Sequence, residues 1–486
     1  MCAREEIFKL RIIPCAMRNV TRLRYIMQPF KLSNFLHVPD DYISYDDLKR
    51  QLTFFDPSAS YQGEENPYFS LLYGADEKGQ YLTPRAIFPN VPRDDTAVQD
   101  VWENTLLPPN TFSYPKLWAE QKKALRALIS DNPNHAKSLV SGCGTGKTVM
   151  SIAYMAWCHC RTIVIVDTEP LRDQWIQELI AHAKLKLDQI GIVQGSKCEI
   201  GGRYAVSIAM VQTLRSRNYG NDFWNHFGLA IYEEGSVFGA RTYSTLVPQS
   251  LGKRLLITAT FNRTDNRNKV YECHIGKPCY VNIATPHVPE IWIYETGMSF
   301  MVTKSGKEKK DFDKWGRYHR SNVKSRIADN VTRNKALIPL IDAAYKAGRE
   351  ILFISERITQ LTFLYEHFKR RGYDCSIALG KQHKGPSADE VKQHRLIFAI
   401  DRLFYKGFNK KSLDVLFEGV FVTSANQIQQ RIGRILRESD DEDKHPVVIL
   451  FEDADQIFKN LTRKTISAIQ RIWSDDEIEV FRKSLT

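Results

Sequence analysis

Ser141-Gly142-Cys143-Gly144-Thr145-Gly146-Lys147-Thr148 sets small residues ahead of a Lys-Thr pair. That combination makes a phosphate cradle. Small residues let successive backbone N–H groups converge on a polyphosphate, the Lys147 ammonium neutralises the outer phosphates, and the Thr148 hydroxyl can ligand Mg²⁺. One position departs from the strict pattern, since Ser141 stands where a glycine usually opens it. Such a loop also needs a carboxylate for the metal and a group that polarises the attacking water. Leu229-Ala230-Ile231-Tyr232-Glu233-Glu234 supplies an apolar run ending in two acids. Glu233 is assigned to the metal through a bound water, and Glu234 to orienting the nucleophilic water. Successive strand residues face opposite sides, but at a strand's end the chain turns and both acids can reach one cleft mouth.

These groups need elements to hold them. A short strand at Ser138–Val140 precedes the loop and an apolar helix follows it. Further strands are expected at Thr162–Val166, Ala205–Met210, Leu229–Tyr232 and Arg254–Thr258, alternating with amphipathic helices. That alternation predicts a parallel sheet with ligands at the carboxyl ends of its strands. A second α/β block starts with a helix at Asn334–Ala344. Its strands are expected at Glu350–Ser355, Arg395–Ile400, Asp414–Val420 and Val447–Phe451, with helices that include Arg357–Lys369 and Asn426–Leu436. Two such blocks in tandem imply a cleft between them. The expected division is 1–112 as a small α+β accessory domain, 113–290 and 326–486 as the two blocks, and 291–325 as a linker or inserted hairpin. That connector is strongly basic with interleaved Trp315 and Tyr318, and Lys307, Lys309 and Lys310 are expected to touch a nucleic-acid backbone.

Composition sets the outer limits. The 486 residues suit about three domains, and 43% hydrophobic content is ample for large cores. No window approaches the roughly 20 apolar residues of a membrane span, and Met1-Cys2-Ala3-Arg4-Glu5-Glu6 lacks a secretory profile, so no membrane partner and a cytoplasmic location are expected. Nine scattered cysteines indicate free thiols. Cys158-His159-Cys160 has no second ligand pair at a usable distance and reads as a helix end rather than a metal site. The net charge of +12 points to a polyanionic partner, most simply nucleic acid.

From about 114 to 455 the motifs resemble, in order, those of superfamily 2 helicases and translocases. Within that superfamily the chain is most similar to the group of restriction-enzyme motor subunits, XPB-like enzymes and phage UvsW-like DNA helicases. The resemblance implies two tandem RecA-like domains, use of ATP with Mg²⁺, and DNA as the partner. It makes Gln121 the residue that reads adenine, and Thr168, Arg172 and Thr213 backbone contacts to nucleic acid. Thr258-Ala259-Thr260, followed by Arg263 and Asp265, is similar to the motif that couples hydrolysis to domain movement. In the second block, Ser355 and Arg357 resemble its opening nucleic-acid motif, and Gly407 and Asn409 its Gly-x-Asp element. Gln430-Arg431-Ile432-Gly433-Arg434-Ile435-Leu436-Arg437 equals the family's Gln-x-x-Gly-Arg-x-x-Arg. On one helix Gln430, Gly433, Arg434 and Arg437 would share a face. Arg434 and Arg437 are then candidate arginine fingers, reaching the γ-phosphate across the cleft.

Two departures bear on coupling. Glu233-Glu234-Gly235-Ser236 replaces the usual Asp-Glu-x-His, and Asn409 stands where an acid is common. Hydrolysis is expected to survive, because Lys147, Thr148, Glu234 and both arginines are present. The leading expectation is an ATP-dependent translocase on duplex or branched DNA. An RNA helicase is the alternative within the enzymes, and a non-hydrolysing nucleic-acid clamp the alternative outside them. The resemblance further suggests a phage-type protein of replication or recombination, and a monomer is compatible with it.

Overall fold

The computed structural model describes residues 30–61, 66–88, 91–132, 135–142, 145–263, 265–282, 288–301, 319–379, 386, 388–400, 410, 412–422, 425–436, 445–470 and 478–485. The expected sites Cys143, Gly144, Lys307, Lys309, Lys310, Gly407, Asn409 and Arg437 lie outside them.

The amino-terminal region holds three small pairings. β1 (Phe30–Lys31) joins β6 (Arg93–Asp94), β2 (Leu36–Val38) joins β5 (Tyr81–Thr83), and β3 (Thr53–Phe55) joins β4 (Tyr68–Ser70). This region packs onto the first large sheet rather than beside it. Leu48, Leu52 and Leu71 sit in one buried cluster with Phe223, Trp224, Tyr232 and Val270. Two fully buried arginines tie the regions reciprocally. Arg85 donates to the carbonyls of Leu251 and Gly252 at 2.6 and 3.0 Å, and Arg254 donates to that of Asn34 at 3.0 Å.

The first large sheet comprises β7 (Ala136–Ser141), β8 (Thr162–Val166), β9 (Ile190–Gln194), β10 (Lys197–Cys198), β11 (Val206–Met210), β12 (Leu229–Tyr232), β13 (Lys253–Thr258) and β14 (Pro278–Asn282). Their spatial order is β10-β9-β11-β8-β12-β13-β7-β14, parallel except at β10. The central strands are apolar runs because helices cover both faces, leaving no solvent side to alternate with. Every residue of β8, β11 and β12 is buried. The helix Lys147–Cys158 ends at His159, whose left-handed backbone caps it while its N–H donates to the Met155 carbonyl.

The second sheet comprises β15 (Glu290–Glu295), β16 (Ile351–Ser355), β17 (Cys375–Ala378), β18 (Leu396–Ile400), β19 (Val415–Glu418), β20 (Val447–Glu452) and β21 (Val480–Ser484), ordered β17-β18-β16-β19-β20-β15-β21 and wholly parallel. β15 corrects the expected connector. Residues 291–295 form an inner strand because Ile291 and Ile293 drop into the core while their neighbours remain half-buried. The helix Arg320–Asp329 also belongs here, burying Val323, Ile327 and Ala328 against Phe300 and Phe458. The architecture is α/β with two parallel-sheet domains. Among the described residues, no helix is long and apolar enough to cross a membrane.

Candidate active site

Parallel register brings the first-half motifs to one edge. β13 lies between β7 and β12, with Thr258 opposite Val140 and Leu256 opposite Tyr232. β8 lies beyond β12, and Glu233 donates its backbone N–H to the Ile165 carbonyl at 3.1 Å. The phosphate loop, the acid pair, the Thr-Ala-Thr segment and Thr168 therefore leave neighbouring strands at their carboxyl ends.

The loop is held by its own side chains. Ser141, the residue that departs from the strict pattern, is buried, and its hydroxyl lies 2.6 Å from that of Thr145. Thr145 in turn donates to the Gly142 carbonyl at 2.8 Å. Lys147 Nζ donates to the carbonyls of Ser141 and Gly142 at 3.0 and 2.9 Å, which keeps the ammonium at the mouth of the loop. Gly146 has φ 80°, and a Cβ there would lie 2.4 Å from Gln121 Nε2. The positive φ demands glycine, and a side chain there would also displace the Gln121 amide. Gln121 is buried, accepts from the Trp118 N–H and donates to the Thr145 carbonyl, each at 3.1 Å. It thus braces the loop from behind.

The acid pair is split by environment. Glu233 is 5% exposed and accepts from Trp175 Nε1 at 3.0 Å. Burial first, and the neighbouring Glu234 second, push its carboxyl up to about 8, with the nearby Lys147 opposing them. Glu234 is half-buried and takes φ 50°, ψ 56°, a left-handed conformation uncommon outside glycine. The strand's two-sided alternation ends at that turn, where a short 3₁₀ turn, Gly235–Gly239, begins. Strain of this kind is characteristically held at functional positions.

These residues fit a Mg²⁺-nucleotide. A glycine turn without room for a Cβ, an ammonium at the loop mouth, the half-buried Thr148 hydroxyl and a buried carboxylate beside them form the donor set such a group requires.

The other expected positions divide. Thr258 Oγ1 is buried and closes a turn with Thr260, accepting its N–H at 3.1 Å and donating to its carbonyl at 2.9 Å, with Ala259 between them. Thr168 Oγ1 is buried at the end of β8 with no hydrogen-bond partner among the described residues. Arg172 is engaged with Asp173 at 2.8 Å and with Gln194. Thr213 is buried and accepts from the Gly195 N–H at 3.0 Å, so its hydroxyl shapes a loop. Ser355 is likewise buried, 2.7 Å from Gln360 Oε1 and accepting the Arg357 N–H at 3.2 Å. Arg357 donates to Ser325 Oγ at 2.9 Å and to Ser321.

The arginine motif needs a correction. The α-helix spans Ala425–Ile432, short of the expected Leu436; the Gly433 N–H still donates to the Gln429 carbonyl at 3.0 Å, but that of Arg434 donates only three residues back, to Arg431, and Gly433–Ile435 form a tighter turn. Glycine is a poor helix former, and burial of Ile432, Ile435 and Leu436 in the core draws the chain into a tighter turn. Arg434 is buried.

Several functional side chains escaped sequence reasoning. Trp175 reads as one of several apolar residues on a helix face. Arg431, a variable position of its motif, pairs in the interior with Glu418 and lies 3.7 Å from Glu356, which Lys324 also engages at 2.5 Å. Nothing local distinguishes these residues. The signal for Arg263 and Asp265 was present in the run after Thr260.

Comparison with known proteins agrees with this geometry. A family model described as "Type III restriction enzyme, res subunit" matches residues 115–263. The putative ATP-dependent RNA helicase L396 of Acanthamoeba polyphaga mimivirus is 28% identical over 342 residues, 68% of this chain and 63% of that protein. The DNA 3'-5' helicase XPB of Mycobacterium tuberculosis is 25% identical over 324 residues, 62% of this chain and 54% of that protein. The chain thus spans less than two thirds of either relative. Among solved structures, S. cerevisiae Dbp5 bound to RNA and ADP BeF3 superposes with a TM-score of 0.53 over 76% of this chain and 90% of that one, at 14% identity, a likeness of fold.

Proposed function

Because the chain carries a superfamily 2 helicase core resembling the restriction-subunit and XPB group, we propose that it is an ATP-dependent motor that moves on or remodels duplex or branched DNA. The observation that carries this reading is the juxtaposition of the buried Glu233 carboxyl with Lys147 and the strained Glu234 turn at one sheet edge. Gln121, Gly142, Thr145 and Gly146 hold the nucleotide, with Cys143 and Gly144 completing the loop. Lys147 neutralises the outer phosphates. Mg²⁺, when bound by Thr148 and Glu233, supplies charge neutralisation at the phosphates. Glu234 orients the attacking water and accepts its proton. Arg434 and Arg437 complete the site from the second domain, and the turn Thr258–Thr260 couples hydrolysis to closure. Thr168, Arg172 and Arg357, with Lys307, Lys309 and Lys310, serve the nucleic-acid side, as do Gly407 and Asn409 the nucleotide side.

RNA is the second reading, favoured by the mimivirus relative's name and its 68% span of this chain. Turnover measured with no nucleic acid, single-stranded DNA, duplex, fork, four-way junction and RNA decides between them. Duplex or branched DNA is expected to stimulate most, and Glu234→Gln to lower the stimulated rate by about 10²–10⁴-fold while ATP still binds. Preferential stimulation by RNA selects the second reading. A chain that binds nucleic acid without turnover on any substrate is a clamp, and the motor reading fails.

A further inference from the structure

The 3₁₀ turn that follows Glu234 is gripped at both ends by arginines. Arg263 donates to the Ser236 carbonyl, and Arg267 Nε to that of Gly239 at 2.7 Å. A Cβ on Gly239 would lie 2.6 Å from Arg263 Cδ and 3.0 Å from the Arg267 carbonyl, so the turn rests directly on both residues. Each arginine is held in turn by an acid. Asp265 takes Arg263 through two hydrogen bonds of 2.8 and 2.5 Å and accepts the Arg267 N–H at 3.2 Å. The second acid comes from elsewhere. Asp56 of the amino-terminal region pairs with Arg267 at 3.6 Å and Arg241 at 3.4 Å through one oxygen. Its other oxygen accepts the Ser58 and Ala59 N–H groups at 3.0 and 3.3 Å.

Asp56 is completely buried and Arg267 nearly so. The surrounding contacts strengthen the join. The Arg267 guanidinium lies over the Phe69 ring at 4.5 Å, and Asn266 donates to the Phe55 carbonyl at 3.3 Å. Two acids thus balance three arginines, and one acid belongs to the region that sequence reading set apart as an accessory domain. A buried guanidinium deprived of its anion relocates or draws in water, because an unpaired buried charge is strongly unfavourable. Arg267 cannot do either while keeping hold of Gly239.

We propose that Asp56 is a positioning residue for the acid pair: through Arg267 it fixes the turn 235–239, and hence where Glu233 and Glu234 point. The amino-terminal region is on this view part of the hydrolysis machinery. The catalytic side of the inference rests on the ATPase reading above, and its structural side does not.

The test uses the full chain with Asp56→Asn, which keeps the side chain's shape and its acceptor for Ser58 and Ala59, and Asp56→Glu, which keeps the charge. Two readouts are taken. Amide hydrogen exchange is expected to accelerate at 235–240 in Asp56→Asn and to stay at the wild-type rate in β2 and β5. DNA-stimulated kcat is expected to fall roughly 10- to 100-fold at unchanged KM for ATP, with Asp56→Glu recovering part of the loss. Wild-type exchange at 235–240 in Asp56→Asn overturns the proposal. So does faster exchange that spreads equally through β2 and β5, or an equal loss of kcat in both variants, because either marks a general loosening. A wild-type chain without ATPase activity refutes the functional reading, and the exchange comparison then still decides whether Asp56 holds the turn.

Discussion

The two parallel sheets solve the same positioning problem by different means. In the first, the functional loops are short, leave adjacent strands and are braced by neutral or singly charged donors: Gln121 behind the phosphate loop, Trp175 on Glu233, and arginine-held carbonyls beneath the acid pair. In the second, Arg434 sits in a turn after a helix whose last residues are anchored by a buried ionic web of Arg431, Glu418, Glu356 and Lys324. On the proposed reading the first half receives a polyanion, and burial pushes the carboxyl of its own acid, Glu233, up to about 8. The second half is built to hold cations in place. On the proposed reading the first domain supplies the phosphate cradle and both acids and the second the arginines, so turnover needs both domains while the cradle alone gives most of the nucleotide affinity.

Three measurements strain this division, beginning with the largest effect. Arg434→Ala is expected to lower turnover by about 10³- to 10⁵-fold, the range an arginine finger contributes in well-studied NTPases, while nucleotide affinity measured by a fluorescent analogue stays close to wild type. A parallel collapse of binding breaks the comparison. Next, Glu418→Gln removes one of the two carboxylates that face Arg431, leaving Glu356 at 3.7 Å, and is expected to destabilise the second domain by about 3 kcal/mol. Thermal unfolding followed by hydrogen exchange locates the loss in β16, β18 and β19, with β7 and β13 unaffected. Destabilisation shared equally by both sheets contradicts the separation.

The third effect is gradual, a pH dependence. The folded protein holds the Glu233 carboxyl at about 8, against an ordinary value of 4.5 in the unfolded chain. Between those values the folded state retains a proton that the unfolded state has released. Stability therefore falls as pH rises through this window, by at most about 1.4 kcal/mol per pH unit, and levels off above it. Denaturant unfolding without metal or nucleotide is expected to show this decline, and Glu233→Gln to flatten it. An unchanged slope in the variant removes Glu233 as its source.

Legibility followed the range of the interactions. The strands expected at Thr162–Val166, Leu229–Tyr232 and Val447–Phe451 are present within a residue of those bounds, because fully covered parallel strands announce themselves as short continuous apolar runs. β15 was read as connector because Ile291-Trp292-Ile293-Tyr294 is short and stands at the edge of a basic stretch. Only its partners β20 and β21, more than 150 residues away, make it a strand. Arg434 was placed on a helix because periodicity has no term for the pull of Ile435 and Leu436 into the core.

What the amino-acid sequence determined by itself is therefore local: the phosphate loop, whose glycines, lysine and threonine lie within one eight-residue stretch, the order of the motifs, and the α/β class. Tertiary structure alone decided that Ser141 closes the loop onto Thr145, that Glu233 is buried against Trp175, that Arg434 follows a helix end, and that Asp56 reaches the turn behind the acids. Each of these depends on a low-dielectric interior or a partner distant in the chain. A hydrogen bond or ion pair acquires its strength only when burial removes competing water, and burial is a property of the assembled fold.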